Sequence, residues 1–583
     1  MQKEVSAMGQ RLEEYTQEEL IEYIKTLKKQ KRFGLVWEDK PEKVVKECET
    51  KLPVIKEVEE KAIENAPGEP TNIIIEGDNY HALSVLNYTH AGKIDVIYID
   101  PPYNTGNKDF IYNDCYVDKE DTFRHSKWLS FMEKRLKLAK NLLADDGVIF
   151  ISIDDNEQAD LKLLCDSIFG EDNYITLFPR LTVKGGKTQT AMSTSNCDYL
   201  LCYAKSLENV AFNKISLEDD PAFKYSDEYV ETRGKFHTKQ ALDTVSLGYI
   251  ASLDYPIEHD GITYYPGGKK EQNDYRWTWS KEKYKFAIEN DFVTFKNGRI
   301  FPKKYMRASI EKGSKGYYID YSCKEKNYSQ IDFIDNIFSN TNGNNELKKL
   351  GLAGVFSYPK PVSLIKTICK MASNKESIVL DFFAGSGTTG QAVMELNQED
   401  GGHRRFILVT NNEANGQADA GAEGIAEKVT YPRIKTVITG IRPDGTKYSD
   451  GIPANLRYFK TDFVEKGKTT DDTREALITE CCDMIRIRKN AFEHIASALE
   501  YRFYKNDKVF VPIIFDQFAI AETWELVEKL NTEKLPVHCY NFSYNRHANE
   551  EEIPEDTELT WTACSIPETV LEVYRKIFRK KEA

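Results

Sequence analysis

The sequence predicts an α/β fold: an open, mainly parallel β-sheet that a long insert interrupts, followed by a smaller α+β domain. Two stretches predict the sheet, 71–179 and 351–450, because each alternates short apolar runs with helical segments. Such alternation is typical of buried parallel strands that are joined by helices. The alternation is absent between the two stretches, which indicates an insert over 180–350.

Each part of the chain contributes identifiable elements. The predicted strands of the sheet are Asn72–Glu76, Ile94–Asp100, Val148–Asp154, Ser377–Phe383 and Arg404–Thr410. The predicted helices between them are Trp128–Leu143, Glu157–Phe169, Pro361–Met371 and Thr388–Asn397. Residues 1–70 favour a helical extension. Residues 451–583 favour an α+β domain with helices over Glu475–Ile495 and Glu568–Phe578 and a strand over Val509–Phe515.

Length and composition exclude several classes of protein. The chain has 583 residues, several times the ~150 typical of one domain. It is 40% hydrophobic and 30% charged, as expected of a globular protein and not of a fibrous or disordered one. No apolar run reaches the roughly 18 residues of a membrane span, and the first residues lack a secretory signal pattern. We therefore expect a soluble, cytoplasmic, multidomain protein.

Cysteine and histidine spacing gives no support for a metal site. The 11 cysteines include no CxxC pair, and we expect reduced thiols that mostly fill the core. The nine histidines show no HExxH spacing. The net charge of −14 argues against a uniformly basic nucleic-acid binder, so any such binding depends on local charge.

A glycine-rich segment, Asp381–Gly390 (DFFAGSGTTG), follows a predicted strand and opens a predicted helix. Glycines permit a tight turn and let a ligand lie against the backbone, while the free N–H groups of the helix start face it. Gly385, Gly387 and Gly390 match the dinucleotide-binding spacing, and Glu413 follows the next strand, where an acidic residue holds ribose hydroxyls. A glycine turn that only packs strand against helix is the alternative interpretation.

A second segment, Asp100–Tyr103 (DPPY), stands at the carboxyl end of a predicted strand, where open α/β sheets bind ligands. Two consecutive prolines make a stiff turn that displays carbonyl acceptors. Asp100 adds a carboxylate, and Tyr103 adds a flat aromatic face. Acceptors beside an aromatic ring suit a planar group that carries an NH₂, such as a nucleobase. A Pro-Pro turn with a capping aspartate is the alternative.

These motifs resemble a known family. Asp100-Pro101-Pro102-Tyr103 resembles the catalytic tetrad of DNA amino-methyltransferases, and Asp381–Thr388 resembles their S-adenosylmethionine loop. The tetrad precedes the loop with a long insert between them, as in the circularly permuted beta class. Further segments resemble the modification (Mod) subunit of type III restriction-modification systems: residues 34–38, 77–79, 109–114, 151–157 and 565–567.

The resemblance implies a Rossmann-like methyltransferase sheet that uses S-adenosylmethionine. Residues 71–179 would be its catalytic half, 351–450 its cofactor-binding half and 180–350 a target-recognition domain. Asp100 and the Pro101 carbonyl would accept hydrogen bonds from the N6 amine of a flipped adenine, Pro102 would stiffen the turn, and Tyr103 would stack on the base. An aspartate in first place favours adenine over N4 of cytosine.

The cofactor residues implied by the resemblance come from both halves of the sheet. They are Asp78, Lys360, Pro361, Asp381, Phe383, Gly385, Gly387, Thr388 and Glu413. Asp78 would look the same as a helix N-cap, and Lys360-Pro361 would look the same as a helix start bounded by proline. Which acidic residue holds the ribose is open, because Asn411 and Asn412 precede Glu413.

The insert carries the local positive charge that DNA binding requires. Residues 261–330 contain 15 lysines and arginines, eight acidic residues and 15 aromatic residues. The basic residues predicted to contact DNA are Lys283, Lys285, Arg299, Lys303, Lys304 and Arg307. A solvated charged face is the alternative. The resemblance also implies a homodimer and a separate restriction (helicase-nuclease) subunit.

Other functions compete with this interpretation. A nicotinamide- or flavin-dependent oxidoreductase would use the glycine loop but leaves Asp100–Tyr103 unexplained. A specificity subunit without catalysis would not need both motifs, and a protein-amide methyltransferase would favour asparagine in place of Asp100. An orphan enzyme, or one that methylates N4 of cytosine, stays open.

Overall fold

The computed structural model describes residues 37–107, 109–113, 115–185, 188–189, 193–217, 222–268, 270, 274–322, 325–411, 424–543, 550–554 and 557–578. It contains two compact units, one formed by the described parts of Met1–Phe212 and Gln330–Ala583 and the other by those of Asn213–Ser329. Within these ranges, no helix combines the length and the apolar character that crossing a bilayer requires.

A ten-stranded mixed sheet forms the centre of the first unit. Nine of its strands are β1 (Lys51–Glu57), β2 (Thr71–Glu76), β3 (Ile94–Ile99), β4 (Leu143–Ile153), β5 (Tyr174–Leu181), β6 (Cys197–Ala204), β7 (Ile378–Asp381), β8 (Arg405–Thr410) and β9 (Asn455–Glu465). They lie in the order β1-β9-β2-β8-β7-β3-β4-β6-β5, and the short strand Ile63–Glu64 pairs with β9.

The middle of this sheet is parallel. Every neighbouring pair from β9 to β4 along that order is parallel, whereas β1, β6 and β5 add antiparallel edges. Strand β7 is buried along its whole length, as expected of a strand covered on both faces. It pairs with β3, placing Val379 opposite Val96 and Leu380 opposite Ile97. The predicted α/β class and the interrupted sheet are confirmed.

Helices connect and flank the strands. They are α1 (Lys43–Thr50), α2 (Asn79–Thr89), α3 (Arg124–Leu142), α4 (Gln158–Phe169), α5 (Asn340–Lys349), α6 (Val362–Ala372), α7 (Thr388–Asp400) and α8 (Tyr431–Thr439). On α3 the fully buried residues Trp128, Met132, Leu136 and Ala139 recur every three or four positions. That spacing places them on one helix face, which packs into the main core.

Some segments outside the two predicted halves also belong to the sheet. Strand β1 lies in the predicted helical extension, β6 lies in the predicted insert, and β9 lies in the predicted C-terminal domain. Strand β5 begins in the predicted catalytic half and ends two residues inside the predicted insert. The second compact unit, Asn213–Ser329, is accordingly narrower than 180–350. For β1, β5 and β6 the physical reason is that antiparallel strands need no crossover helix, so the alternation of strand and helix does not mark them.

The C-terminal segment folds as a five-stranded α+β layer inside the first unit. Its strands are Glu493–Ser497, Tyr501–Lys505, Phe510–Ile514, Val537–Phe542 and Trp561–Ile566, and its helices are Thr470–Leu477, Cys482–Lys489, Ile520–Leu530 and Glu568–Ile577. The single helix predicted over Glu475–Ile495 is wrong. A helix ends at Leu477, and the next is capped by Asn490 at φ 53°, after which the chain enters a strand.

The second unit contains small antiparallel pairs around its own core. Its helices are Val230–Arg233 and Lys281–Glu289. Its paired strands are Ile215–Ser216 with Glu325–Lys326, Phe236–His237 with Lys304–Tyr305, Asp243–Thr244 with Arg276–Trp277, Ile257–His259 with Ile262–Tyr264, Val293–Lys296 with Arg299–Pro302, and Ser309–Gly313 with Gly316–Asp320. Aromatic residues of this segment, among them Trp277 and Tyr305, form that core.

Truncating β7 should destabilise the first unit. Leu380 is fully buried between β8 and β3, so Leu380→Ala should lower the free energy of unfolding by about 2–5 kcal/mol. The matched control is Leu499→Ala, because Leu499 is 89% exposed and its truncation should cost about 0.5 kcal/mol or less. Urea unfolding followed by circular dichroism measures both, and equal midpoints would contradict the placement of β7.

Candidate active site

Two distant segments meet at one edge of the sheet. Strand β3 leads directly into Asp100, and β7 ends at Asp381. Because β3 and β7 are parallel neighbours, their carboxyl ends lie side by side. Lys360, which lies just before α6, reaches the same place: its Nζ is 2.5 Å from Asp100 Oδ2 across 260 positions of sequence. The two predicted motifs therefore share one site.

The Asp100–Tyr103 turn is held on both sides. Asp100 Oδ1 accepts a hydrogen bond from the Tyr103 hydroxyl at 2.9 Å, while Oδ2 accepts the one from Lys360. The Pro102 carbonyl accepts a hydrogen bond at 2.7 Å from Nε1 of Trp128, which is buried on α3. Tyr103 stays partly exposed. A carboxylate thus lies beside an accessible aromatic ring, the pair of groups predicted to bind a planar amine.

Lys360 is the charged partner of Asp100. It is buried, and its Nζ lies 5.2 Å from the centroid of the Tyr103 ring. Burial lowers the pKa of Lys360, and the charge of Asp100 opposes that shift. Pro361, the next residue, is buried as the N-cap of α6. The sequence predicts Lys360 and Pro361 as cofactor residues but does not predict the ion pair with Asp100.

The turn after β7 requires glycine at two positions. Gly385 has φ 48° and Gly387 has φ 76°, both in the left-handed region. A Cβ on Gly385 would lie 3.0 Å from Phe356 Cζ, and one on Gly387 would lie 3.2 Å from Thr430 Cγ2. Gly387 is also the N-cap of α7, whose first N–H groups have no partner within the helix. A ligand can therefore approach the loop backbone closely, and a polar ligand can bind the free N–H groups at the start of α7.

Asp381 braces this loop from inside. Its Oδ2 accepts a hydrogen bond from the Thr389 hydroxyl at 2.6 Å, and its Oδ1 accepts one from the Phe383 N–H at 3.1 Å. Burial, with a smaller contribution from the charge of Asp100, raises the pKa of Asp381 to about 7. Phe383 itself stays partly exposed. Asp381 shapes the loop and also titrates near neutral pH.

Arg433, a buried residue on α8, supports the loop from behind. Its guanidinium donates hydrogen bonds to Ser386 Oγ at 3.0 Å, Thr388 Oγ1 at 2.8 Å and Gln391 Oε1 at 2.8 Å. The Thr388 hydroxyl donates to the carbonyl of Lys360 at 3.0 Å, so the loop and the Lys360 segment are tied together. Burial lowers the pKa of Arg433 to about 10. Sequence reasoning missed Arg433, because no motif marks one buried arginine in an amphipathic helix.

Asp78 caps α2 beside the same edge. Its Oδ1 accepts a hydrogen bond from the Tyr80 N–H at 2.7 Å, which establishes the N-cap role. The next residue, Asn79, donates to the carbonyl of Phe382 at 3.1 Å, and this bond ties the start of α2 to the glycine loop. Asp78 is therefore the chain neighbour of a residue that contacts the loop. Its predicted role in binding the cofactor stays a proposal. Glu413, the predicted ribose ligand, lies outside the described residues.

The residues predicted to contact DNA lie in the second unit, and one of them, Lys303, forms ion pairs within that unit. Lys303 is largely buried and forms ion pairs with Asp227 at 3.0 Å and with Asp291. Both bonds hold Lys303 inside the unit, which argues against a phosphate contact for this residue. Arg299 is exposed but bonded to Asp243 at 2.8 Å. Of the remaining residues, Lys285, Lys304 and Arg307 are exposed and Lys283 is partly buried.

A polar cluster lies next to the Asp100–Tyr103 turn. His125, Glu157 and Asp160 bring ligand-type atoms within 4.8 Å of one another. Glu157 is buried, and burial is the main reason why its pKa is raised to about 8. The sequence predicts no metal site, because these three residues form no recognised metal-binding spacing. Their proximity arises from the packing of α3 beside α4.

Comparison with known proteins gives a family. The model of a family described as DNA methylase matches residues 94–414, more than half of the chain and both motifs. The Mod subunit of the type III restriction-modification enzyme StyLTI of Salmonella typhimurium is 35% identical over 400 residues, which are 64% of this chain and 57% of that protein. The EcoPI Mod subunit of Escherichia phage P1 is 32% identical over 413 residues, 63% of this chain and 62% of that protein.

A further relative is a type II enzyme. The methyltransferase M.KpnI of Klebsiella pneumoniae is 35% identical over 362 residues, which are 58% of this chain and 79% of that protein. The matched region of this chain spans less than two thirds of either Mod subunit. The resemblance predicted from Asp100–Tyr103 and Asp381–Thr388 is confirmed at the level of the family. The chain belongs to the DNA methylase family.

Proposed function

We propose that this protein is a site-specific DNA methyltransferase that transfers a methyl group from S-adenosylmethionine to the N6 amine of an adenine flipped out of double-stranded DNA. One observation carries the proposal. The Asp100–Tyr103 turn and the Asp381–Gly390 loop lie at the carboxyl ends of adjacent parallel strands, and Lys360 contacts the first while its carbonyl contacts the second. A methyl donor on the loop and an amine at the turn would therefore be neighbours.

The residues of the turn suit an amine acceptor. Asp100 and the carbonyl of Pro101 would accept the two N6 hydrogens, so that the nitrogen lone pair leaves conjugation with the ring and turns toward the methyl group. Tyr103 would stack on the extruded base, which recovers part of the few kcal/mol that extrusion costs. Pro102, held by Trp128, keeps the turn stiff. The transfer would be direct and in line, with no covalent enzyme intermediate.

The glycine loop suits the cofactor. S-adenosylmethionine supplies an electrophilic methyl group on a sulfonium. Gly385 and Gly387 leave backbone without a side chain where the cofactor would approach, and a Cβ at either position would meet a neighbour at 3.0–3.2 Å. The loop's Asp381, Phe383 and Thr388 would line it, Asp78, Lys360 and Pro361 would approach it from adjoining segments, and Glu413 would hold its ribose.

Adenine is the proposed target because Asp100 stands first in the tetrad. The carboxylate would face the positive charge that develops on the amine during transfer, and Nζ of Lys360 lies 2.5 Å from its Oδ2. The second candidate, N4 of cytosine, presents a similar planar amine. M.KpnI and the two Mod subunits are named as methyltransferase or modification proteins, which supports the chemistry but not one base.

The proposed assembly follows the Mod relatives. Two relatives are named as subunits of restriction-modification enzymes, which supports a separate restriction subunit as a partner here. The homodimer is proposed on the resemblance alone. An orphan enzyme is the other candidate, since M.KpnI, 79% of whose length is covered, is named as a methyltransferase and not as a subunit. Purification from the native host followed by mass spectrometry of co-eluting chains distinguishes the two. We place the enzyme in the cytoplasm, where its DNA would be.

The methylated nucleoside is the first test. Incubation with S-adenosylmethionine and unmodified genomic DNA, digestion to nucleosides and mass spectrometry should detect N6-methyldeoxyadenosine. N4-methyldeoxycytidine in its place would contradict the adenine assignment, and neither product would contradict the function. Single-molecule sequencing of the same DNA then gives the recognition sequence.

Removing the charge of Asp100 should abolish transfer. Asp100→Asn keeps the shape of the side chain but loses the carboxylate that faces the amine, so turnover should fall by at least 100-fold, about 2.7 kcal/mol of transition-state stabilisation. Binding of S-adenosylhomocysteine and of DNA, measured by calorimetry, should change little. Asp145→Asn, at an exposed aspartate, is the control. Near-normal turnover of Asp100→Asn would reject the role of Asp100.

Lys360 should affect cofactor and catalysis together. Lys360→Met removes the ammonium from Asp100 and from the proposed cofactor site, so we expect both a higher KM for S-adenosylmethionine and a lower kcat. Lys370→Met, at an exposed position on α6, the helix that follows Lys360, is the matched control. A change in KM alone would limit Lys360 to the cofactor.

DNA binding should depend on the exposed lysines of the second unit. The double variant Lys285→Ala/Lys304→Ala should weaken binding at every sequence and reduce the slope of log K against log salt by roughly two, about one for each lost phosphate contact. Lys303→Met should lower the thermal midpoint and leave the salt slope unchanged, because Lys303 is paired inside the unit. Fluorescence anisotropy with duplex DNA measures the slopes, and an unchanged slope for the double variant would remove both lysines from the DNA contacts.

A further inference from the structure

The residue that follows the Asp100–Tyr103 turn has an unusual conformation. Asn104 has φ 56°, in the left-handed region that residues other than glycine rarely adopt. It is fully buried, and its Nδ2 donates a hydrogen bond to Glu157 Oε1 at 2.5 Å. Asparagine enters this region more readily than other residues with a side chain, and contacts of that side chain can hold it there. Among the described residues, the hydrogen bond to Glu157 is the side-chain contact that can hold Asn104 in this conformation.

Glu157 is itself fixed from a second direction. It immediately precedes α4 and is 1% exposed. Its Oε1 also accepts a hydrogen bond from His125 Nδ1 at 2.7 Å. Nε2 of His125 accepts a hydrogen bond from Arg124 Nε at 3.1 Å, so the proton of the neutral ring belongs on Nδ1. One chain of hydrogen bonds therefore runs from Arg124 through His125 to Glu157, and Glu157 holds Asn104.

Helix α3 thus reaches the catalytic turn at two points, one on each side of Tyr103. Trp128 donates directly to the carbonyl of Pro102, the residue before Tyr103. His125, three positions earlier on the same helix, acts through Glu157 on Asn104, the residue after Tyr103. Fixing both chain neighbours of Tyr103 fixes the direction of its ring. In the proposed mechanism the ring orients the base whose amine reacts, and a displacement of about 1 Å at a reacting group can cost roughly 100-fold in rate.

We propose that Glu157 is a positioning residue of methyl transfer, which holds Asn104 in its left-handed conformation so that Tyr103 presents its ring to the flipped base. The inference rests on the proposed function. Glu157 touches neither the cofactor nor the base in this role, and its effect passes through Asn104.

A cation held by His125, Glu157 and Asp160 is the competing interpretation of the same residues. Their ligand-type atoms are close, and Nδ1 of His125 lies 3.7 Å from Asp160 Oδ2. A metal ligand must offer a lone pair, whereas Nδ1 of His125 carries the proton that it donates to Glu157. Nδ2 of Asn104, a pure donor, also occupies the same Glu157 oxygen. The arrangement favours a hydrogen-bonded support.

The test compares Glu157→Ala with Glu157→Gln in the full chain. Glutamine keeps an Oε1 acceptor for Asn104 and alanine does not. We expect kcat of Glu157→Ala to fall roughly 100-fold, with KM for S-adenosylmethionine within about twofold of the wild type. Glu157→Gln should retain kcat within about threefold. Duplex DNA with 2-aminopurine at the mapped target adenine should report less stacking on Tyr103 in Glu157→Ala, seen as higher fluorescence of the extruded base.

Asn104→Gly tests the same contact from the other side. Glycine adopts positive φ freely but lacks the amide, so its kcat should fall as in Glu157→Ala although the fold tolerates it. Wild-type kcat for both variants would overturn the proposal, as would a dependence on Mn²⁺ or Mg²⁺ that Glu157→Gln abolishes. The wild type and the catalytic variant Asp100→Asn are assayed in parallel. If the wild type methylates DNA and Glu157→Ala has normal turnover, only the role of Glu157 fails, whereas a wild type that forms no methylated nucleoside removes the proposed function.

Discussion

The parallel pairing of β3 with β7 is the constraint on which the site depends. It brings the carboxyl ends of two strands together although more than 250 residues separate them. Backbone hydrogen bonds and buried apolar side chains hold this pairing, and both strands are covered on both faces. Because loop-closure entropy rises only slowly with loop length, a long intervening segment is tolerated once the strands pair. The chemistry at the sheet edge therefore depends on the core beneath it.

Much of this arrangement could be predicted from the sequence. Buried parallel strands are continuous apolar runs, so β3, β7 and β8 are recognisable, and glycine or proline turns mark where they end. That pattern places Asp100 and Asp381 at strand ends, and the family resemblance implies that the two ends lie in one site. Edge strands such as β1 and β5 are harder to predict, because an antiparallel edge strand needs no crossover helix and its burial depends on the partner strand. The helix predicted over Glu475–Ile495 fails because apolar residues at helical spacing also fit two short helices and a strand.

Buried charges were the least predictable part of the site. Arg433 under the glycine loop, Lys360 on Asp100 and Lys303 between two aspartates look like surface residues in the sequence. The partners of these residues lie 12 to 260 positions away in the sequence, so no local pattern predicts that these charges are buried. A buried ion pair adds little net stability, but removing one partner is costly because the other charge stays desolvated. These contacts consequently fix geometry more than they add stability.

The boundaries of the second unit have a consequence for how such proteins diversify. All strands of the large sheet lie outside Asn213–Ser329, and the chain leaves the first unit after Phe212 and returns at Gln330. Recombination between related genes at these two junctions would exchange the entire segment. The Asp100–Tyr103 turn and the Asp381–Gly390 loop, which lie in the first unit, would stay unchanged. If this segment recognises the DNA target, as the resemblance implies, target preference and reaction chemistry can evolve independently within one polypeptide.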